Sequence, residues 1–229
     1  MAIAFDAKGS SVDTGTDNQA TLTVGSLTNG VLLIVKTRIS ANAASTPTVN
    51  GSATGVTLWN QVDDGAVFED VYYKVAPASG ATTVAGGDCE SIAAASYSGV
   101  DQATPLATAA EATGSGITPT VNVSTTIGEV VIDFVAWNAI EGAVLATGAG
   151  AGQTVRVNDG TRLYGIGISE ETATGATTTM SWTLDTGDQP WVTMAGVLNA
   201  AAAGATDAQK MVAVNQFTAT GGMVGRVYA

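Results

Sequence analysis

The sequence predicts an all-β protein built as an antiparallel β-sandwich. Strand-like runs separated by clusters of Gly, Pro, Asn and Asp recur over residues 20–199, at a spacing typical of sandwiches and barrels. Thr, Ala, Gly, Ser and Val dominate the composition, with 28 Gly, which suits β-branched strands joined by turns. Strong helix formers are scarce, and no long amphipathic helical pattern competes with the strands.

The clearest strand-like runs share β-branched or aromatic residues and are bounded by turn residues. In chain order they are 31–40, 56–62, 67–75, 90–97, 130–137, 154–158, 162–170, 177–184 and 191–199. The run at 130–137 is apolar on most of both faces, which is typical of a central strand. The pair Asp159-Gly160 predicts a hairpin turn between two of these runs, because both turn positions tolerate positive φ.

The run at 177–184 is expected to bury only one of its faces. Met180, Trp182 and Leu184 alternate with polar residues, as in an antiparallel strand that has its other face in water. Trp182 is therefore predicted to belong to the core. Cys89 is the lone cysteine, and a small buried apolar side chain is the role predicted for it.

The chain of 229 residues is long enough for one large sandwich or for two small domains. The pattern predicts a sandwich domain over 20–199, with an N-terminal stretch or arm at 1–19 and a C-terminal tail at 200–229. Residues 103–116 are rich in Ala, Thr and Gly with little periodicity. They are interpreted as a long surface connection between the two halves of the sandwich.

The charge balance argues against a nucleic-acid partner. Eight Lys and Arg against 20 Asp and Glu give a net charge of −12, which repels a phosphate backbone. Residues 1–11 carry one lysine and no long apolar stretch, so no secretory signal is predicted. The longest purely apolar run, 31–35, is far shorter than the roughly 20 residues that span a bilayer, and no membrane association is expected.

The absence of histidine limits the chemistry that the chain can perform. Without histidine there is no Ser-His-Asp or Cys-His nucleophile and no histidine-bound zinc or iron. We therefore expect no enzyme activity, no catalytic residues and no cofactor. Paired carboxylates of a glycosidase need no histidine, but spacing alone selects no acid and nucleophile among the candidates Glu69, Asp70, Glu129, Asp133, Glu170 and Glu171.

Asp-Thr-Gly triplets occur at 13–15 and 185–187 and are locally similar to the paired loops of aspartic proteases. Only 229 minus 187, or 42, residues follow the second triplet, too few for a second protease lobe. Turns are the preferred interpretation. Calcium is the alternative, with oxygen ligands from Asp13, Asp17 and Asn18, from Asp63 and Asp64, or from Asp185 and Asp188.

The aromatic residues offer a possible glycan platform. Trp59 and Trp137 each precede an asparagine near a predicted strand end, so they are the candidates for exposed sugar-stacking residues. The C-terminal tail is a second candidate for binding, because it keeps apolar residues outside the sandwich pattern. Its predicted partner-docking residues are Met211, Phe217, Met223, Val224, Val227 and Tyr228. A final edge strand packed on its own domain remains the alternative for this tail.

Three segments resemble a β-sandwich module of phage structural proteins and bacterial surface proteins. They are VLLIV at 31–35, VYYKVAP at 71–77 and SYSGVDQATPL at 96–106, of which the last is the most specific. The resemblance implies a jelly-roll-like domain used for display, capsid decoration or attachment, with no catalytic residues to transfer. It covers residues from about 22 to 199 and leaves the two ends outside.

The resemblance leads us to expect a phage virion structural protein, assembled in the host cytoplasm and exposed on the particle surface. As a capsid decoration protein it would self-associate, as a trimer or another symmetric oligomer, and dock on the major capsid protein or other virion proteins. The alternative is a glycan-binding or adhesive module of a phage tail or a cell surface. An exposed groove with two or more aromatic residues would favour the alternative.

Overall fold

A computed structural model of the chain describes residues 1–13, 18–38, 45–87, 89–138, 146–160, 164–185 and 189–202. These residues form sixteen strands, all paired antiparallel. No helix in this part of the chain is long and apolar enough to cross a membrane. The first eight strands are β1 (Ala4–Asp13), β2 (Asn18–Val24), β3 (Val31–Arg38), β4 (Thr48–Val49), β5 (Val56–Asp63), β6 (Phe68–Val75), β7 (Gly80–Ala85) and β8 (Ser91–Ser98).

The remaining eight strands repeat the pairing of the first eight. They are β9 (Leu106–Ser115), β10 (Thr120–Ser124), β11 (Val130–Asn138), β12 (Ala146–Ala149), β13 (Thr154–Asp159), β14 (Tyr164–Thr172), β15 (Thr177–Leu184) and β16 (Pro190–Leu198). In the first half the order is β4-β7-β2 and β1-β8-β3-β6-β5, and in the second half it is β12-β15-β10 and β9-β16-β11-β14-β13. Adding eight to each strand number converts one half into the other.

Each half is a jelly roll. Its first strand pairs with its eighth and its second with its seventh, so the chain folds back on itself as a double Greek key. In the first half, β1 is long enough to pair with β8 over Ala4–Ser10 and with β2 over Ser11–Asp13. This joins the two sheets of that half into one curled eight-stranded sheet. The prediction of an all-β, jelly-roll-like sandwich is confirmed, but the chain contains two jelly rolls in tandem.

The two jelly rolls pack face to face and share a core. Alternate residues of β3 point in opposite directions: Leu33 and Val35 contact the second half, whereas Leu32 and Ile34 face the interior of their own jelly roll. The second half has the same arrangement around β11, whose own interior is covered by β10, β12 and β15. The molecule therefore has four layers, with a five-stranded sheet from each half in the middle.

The contacts between the halves follow an approximate two-fold symmetry. Strand β14 packs near β3 and β8, and its counterpart β6 packs near β11 and β16. Likewise β13 lies near β1, and β5 lies near β9. The segments that follow β8 and β16 meet through an antiparallel bridge between Val100 and Ala200. The arrangement is that of an isologous dimer formed within one chain.

The strand predictions are confirmed where the pattern of buried residues is strong. Every predicted run overlaps an observed strand, and β11 is the central strand of its sheet. Met180, Trp182, Leu184 and Cys89 are buried as expected. The hairpin between β13 and β14 is also present, although Asp159 ends β13 and pairs with Ile166 instead of occupying the turn.

The prediction that residues 103–116 form a surface connection is wrong, and the N-terminal stretch also contains a strand. Most of 103–116 is strand β9, which pairs with β16 at the edge of a sheet, and only the few residues before it link the halves. The N-terminal stretch at 1–19 contains β1, which lies inside the sheet between β2 and β8. Both strands consist largely of small or polar residues that are mostly not fully buried, so their strand conformation comes from backbone pairing and not from an apolar alternation.

Candidate functional site

The registers of the strand pairs define equivalent positions in the two halves. Trp59 lies at a register shift between β5 and β6, and Arg156 lies at the corresponding shift between β13 and β14. When the registers of the two halves are aligned in this way, Tyr73 of β6 takes the same position as Glu170 of β14. Each pair lies at one end of the boundary between the jelly rolls. The two ends of this boundary therefore have the same backbone and different chemistry.

The Trp59 end is closed by apolar packing. Trp59 packs with Tyr73 against the shared core, and its ring centroid lies 6.3 Å from that of Phe134. The indole also covers Gly196, where a Cβ atom would lie 2.7 Å from two of its ring carbons. A glycine at this position is required by the close approach of the indole. Trp59 thus helps to hold the two halves together.

The Arg156 end carries a cluster of polar and aromatic residues. Arg156 forms a salt bridge with Glu170, and its guanidinium carbon lies 4.0 Å from the centroid of the Phe5 ring. Phe5 in turn contacts Tyr97 edge to face, with ring centroids 5.6 Å apart. The hydrogen bond from the Arg156 guanidinium to Glu170 raises the arginine pKa further. This cluster combines residues of both jelly rolls.

Several polar atoms of this cluster are buried without a hydrogen-bond partner. They are the Tyr97 hydroxyl, Nε of Arg156 and Oε2 of Glu170. Burial raises the pKa of Tyr97 well above its usual range, and the nearby Glu170 carboxylate raises it further. Orphaned polar atoms of this kind are rare in native proteins, because each one loses its hydrogen bonds to water.

A cleft of about 330 Å³ opens above the cluster. Its walls combine three threonine side chains, the neighbouring carboxylates and several apolar residues: Ile3, Phe5, Tyr97, Val130, Gly152, Thr154, Glu170, Glu171, Thr172 and Thr174. Ile3 and Val130 also line a second cleft of about 490 Å³, which continues past Met1 and the exposed Ile127. The two clefts follow the boundary between the halves.

The expectation that Trp137 lies at the surface is wrong. Its side chain is 0% exposed and lies in the interior of the second jelly roll, in the same cluster as Trp182 and Trp191. Trp59 is partly buried in the shared core, in a different layer. The two tryptophans therefore do not form one exposed platform. Trp137 lies near the end of β11 and Trp59 at a bulge within β5, so the asparagine that follows each of them does not indicate an exposed tryptophan.

The sequence did not point to most residues of the polar cleft. Glu170 and Glu171 were only two of several candidate carboxylates, and Phe5, Tyr97 and Arg156 carried no signal. These residues come from four strands that are distant in sequence. A comparison of the two halves contains the one usable signal, because an arginine replaces a tryptophan at equivalent positions.

Glu69 is a buried carboxyl group on the face of β6 that points to the second half. It is 0% exposed, and neither of its carboxyl oxygens has a hydrogen-bond partner. Burial raises the pKa of Glu69 well above its usual range, and the carboxylates of Asp133 and Asp70 add to this effect. The equivalent residue of the second half is Ile166, so the fold does not need a carboxyl group here.

We expect Glu69→Ile to stabilise the protein by about 1–3 kcal/mol at neutral pH, because it removes orphaned polar atoms from a core position. The carboxyl group of Glu69 has a higher pKa in the folded protein than in the unfolded chain. Its contribution to stability is therefore present below about pH 4 and is lost as the pH rises toward the folded-state pKa. Urea unfolding of both proteins between pH 5 and pH 8 measures the two effects.

The matched control for this prediction is Glu69→Gln, which removes the charge but keeps polar atoms in the same place. It should flatten the same part of the pH profile while giving less stabilisation than isoleucine. A pH profile unchanged by both substitutions would contradict the assignment of Glu69 as a buried titrating group.

Asp133 is the buried carboxyl group of the second jelly roll. Its Oδ1 accepts hydrogen bonds from the backbone N–H and the hydroxyl of Ser169, and its Oδ2 accepts one from the Trp182 indole at 2.8 Å. Burial raises the pKa of Asp133 to about 7, although the hydrogen bonds from Ser169 and Trp182 oppose this shift. The carboxyl group connects three strands of its own half and is closed to solvent.

Asp133→Asn should lower the free energy of unfolding by about 1–3 kcal/mol, because the amide turns a donor toward either Trp182 or Ser169. It should also remove the loss of stability that Asp133 causes as the pH rises from about 4 to about 7. Chemical denaturation followed by tryptophan fluorescence gives both quantities. The control is Asp185→Asn, at an exposed aspartate, which should change stability by less than about 0.5 kcal/mol. Equal losses of stability in the two variants would contradict the role of Asp133.

The calcium candidates receive no support as a group. Asp17 and the side chain of Asp13 lie outside the described residues, as does Asp188. The amide of Asn18 donates to the backbone oxygens of Cys89 and Glu90. Asp64 accepts hydrogen bonds from the backbone of Ala66 and Val67 within its turn. Among the described residues, no three His, Cys, Asp or Glu side chains converge to hold a metal ion.

The predicted docking residues of the tail also lie outside the described residues. They are Met211, Phe217, Met223, Val224, Val227 and Tyr228. The last described residues are held against the first, since the N-terminal amine donates to the backbone oxygen of Ala201 at 2.9 Å. The described part of the chain therefore ends close to Met1, near the second cleft.

These features define a tandem jelly-roll protein with a polar cleft at one end of the boundary between its halves. No protein-family model, curated protein or solved structure matches the chain.

Proposed function

We propose that the protein is a non-enzymatic structural component of a phage particle, namely a capsid decoration protein exposed on the particle surface. The proposal begins from the resemblance of residues 31–35, 71–77 and 96–106 to a module of phage structural proteins. Residues 31–35 lie in β3, and the most specific string, 96–106, runs from β8 across the link to β9. This string carries the chain from one jelly roll to the next.

The observation that best supports the proposal is the core that the two jelly rolls share. A face-to-face arrangement of two sandwiches resists relative motion of the halves, because separating them exposes buried apolar residues of nine strands. Buried ionisable groups serve internal contacts: Asp70 pairs with Arg38, and Asp133 accepts from Ser169 and Trp182. A rigid, hydroxyl-rich and acidic body suits a part that decorates a particle.

The tail is the proposed means of docking. The last described residues lie near the exposed Ile127 and Met1, and we propose that the apolar residues that follow them in sequence contact a neighbouring subunit or the shell. We propose that the tail contacts the major capsid protein and supports a trimer or another symmetric oligomer. A variant that ends at Ala202 retains all sixteen strands of the described residues, and we expect it to stay folded while losing this docking.

Immunogold electron microscopy tests the proposal. Particles are purified on a density gradient from a lysate of the cells that carry the gene, and an antibody to the purified protein is applied. Label at regular positions on the capsid supports a decoration protein. Label confined to tails, or no protein in the particles, would refute it. Pre-absorption of the antibody with the pure protein is the control, and the variant ending at Ala202 should be absent from particles.

The alternative role, as a glycan-binding module, is supported by a different feature. That feature is the polar cleft between the halves and not the pair Trp59 and Trp137, which the fold places in separate buried layers.

A further inference from the structure

The two ends of the boundary between the jelly rolls show which chemistry the fold requires. At one end Trp59 and Tyr73 close the boundary with apolar contacts. At the other end the equivalent positions hold Arg156 and Glu170, and a cleft remains open. A partly buried ion pair contributes little net stability compared with apolar residues of similar volume. Because the fold accepts apolar residues at this position, packing alone does not account for the polar cluster.

The floor of the cleft has unused hydrogen-bonding capacity. The Tyr97 hydroxyl, Arg156 Nε and Glu170 Oε2 lie within no well-formed hydrogen bond to a described residue and are closed to solvent, although Glu170 and Arg156 are close enough to Tyr97 to act on its pKa in opposite directions. The side chains of Arg156 and Glu170 are 22% and 17% exposed, so a rotation of either one opens the floor to a small polar group. A hydroxyl group that enters the cleft can both donate and accept, which suits this mixture of atoms.

The walls combine hydroxyl groups with apolar surface. Thr154, Thr172 and Thr174 stand at the rim on the β13 and β14 side. Ile3 and Phe5 of the first half form the facing wall. A sugar ring has the matching distribution, with hydroxyl groups around its edge and apolar C–H groups on its faces, and such rings pack on aromatic and aliphatic side chains.

The charge of the cleft selects against anionic ligands. Arg156 compensates Glu170, which leaves Glu171 as the single uncompensated carboxylate among the lining residues. Phosphate and carboxylate ligands are repelled by Glu171 and by the overall charge of −12. A neutral ligand can instead donate a hydroxyl proton to this carboxylate. The volume of about 330 Å³ is at the lower end for small-molecule sites, which favours a small ligand such as a single sugar unit.

We propose that the cleft between the two jelly rolls, lined by Phe5, Thr154, Glu171 and Thr172 above the Arg156–Glu170 pair, binds one neutral saccharide unit. The adjoining second cleft allows this unit to be the end of a longer chain as well as a free sugar. The inference does not depend on the proposed place of the protein in a phage particle.

Binding is tested on the full-length protein by two-dimensional NMR. The probes are glucose, galactose, N-acetylglucosamine and N-acetylgalactosamine, with putrescine and acetate as charged comparisons. We expect at least one neutral sugar to bind in the millimolar range and to shift the amide signals of residues that line the cleft. A glycan array presents the same sugars at the ends of longer glycan chains. Binding on the array without binding of the free sugars in solution would assign the site to displayed glycans.

The variants are chosen from the residues at equivalent positions. Thr172 is equivalent to Val75 of the first half, so Thr172→Val introduces the residue found there. It removes one hydroxyl group and should weaken binding about fivefold to tenfold. Arg156→Trp combined with Glu170→Tyr reproduces the closed end of the boundary and should abolish binding. Thr183→Val, on an exposed position of β15, should leave binding unchanged. A circular dichroism melt shows that each variant is folded, and Thr172→Val remains informative if the double variant is not.

Three results would overturn the proposal. The first is the absence of any signal shift with all four sugars together with an empty glycan array. The second is binding of putrescine or acetate at the cleft in preference to the sugars. The third is sugar binding that persists in the folded double variant, which would place the ligand elsewhere.

Discussion

We expect Asp70→Ala to lower the free energy of unfolding by about 3–5 kcal/mol, which is among the largest effects of a single substitution in this protein. Asp70 is 0% exposed and accepts hydrogen bonds from Nε and Nη2 of Arg38 at 2.6 and 2.9 Å. Gln61 donates to the same carboxylate at 2.9 Å. Alanine removes the counter-charge of a buried guanidinium, which then loses its ion pair without regaining water.

Equilibrium denaturation of the wild type, Asp70→Ala and the double variant Arg38→Met with Asp70→Ala measures this effect. The double variant removes both charges and should recover part of the loss, because no uncompensated charge remains. Asp63→Ala replaces an exposed aspartate of β5 and should change stability by less than about 0.5 kcal/mol. A loss at Asp70 no larger than at Asp63 would show that the buried pair is not coupled.

Gly165→Ala should destabilise the second jelly roll by about 3 kcal/mol or more, through overpacking. Gly165 pairs with Trp137 across β11 and β14, and a Cβ atom on it would lie 1.9 Å from an atom of the indole. Trp137 is fully buried and cannot move away without disturbing the cluster that contains Trp182. Thermal unfolding monitored by near-UV circular dichroism reports the loss.

Gly148→Ala is the matched control for this substitution. Gly148 is also in a strand of the second half, but no atom of the described residues lies within 4 Å of the place where its Cβ would be. It should be neutral or slightly stabilising, because alanine restricts the unfolded chain more than glycine does. Equal losses at the two positions would mean that backbone freedom and not the indole explains Gly165.

The Asp70 and Gly165 predictions concern the same place in the two jelly rolls. Arg38 of β3 and Trp137 of β11 occupy equivalent positions, and so do Phe68 and Gly165. In the first half the Arg38 guanidinium lies 5.4 Å from the Phe68 ring centroid and pairs with Asp70. In the second half one large indole fills the space above a glycine. Two chemically different sets of side chains thus occupy equivalent positions in the two interiors.

This divergence explains why the repeat is hard to detect in the sequence. The shared features are the order of the strands and the alternation of apolar residues, which many β-proteins have. At the positions that would identify a repeat, one half has charged residues and the other has aromatic residues or glycine. Pairing registers reveal the equivalence, because they depend on the backbone and not on the side chains.

The order of residues along the chain was enough to predict the all-β class and the strands with a strong apolar pattern. Strand β11 was identified as central and β15 as half-buried, because burial on two faces or on one face leaves a direct record in the alternation of residues. The composition, with no histidine and a net charge of −12, limited the chemistry in the same direct way. These properties depend on local sequence or on totals.

The division into two jelly rolls, the strands β1 and β9, the burial of Trp137 and the polar cleft required the tertiary structure. Strands β1 and β9 consist largely of small and polar residues and are ordered by partners far away in sequence. The cleft joins Phe5, Tyr97, Arg156 and Glu170, which meet only because two sandwiches pack face to face. Contacts between distant residues follow from the registers and the packing of layers, and no local pattern of residues specifies either of them.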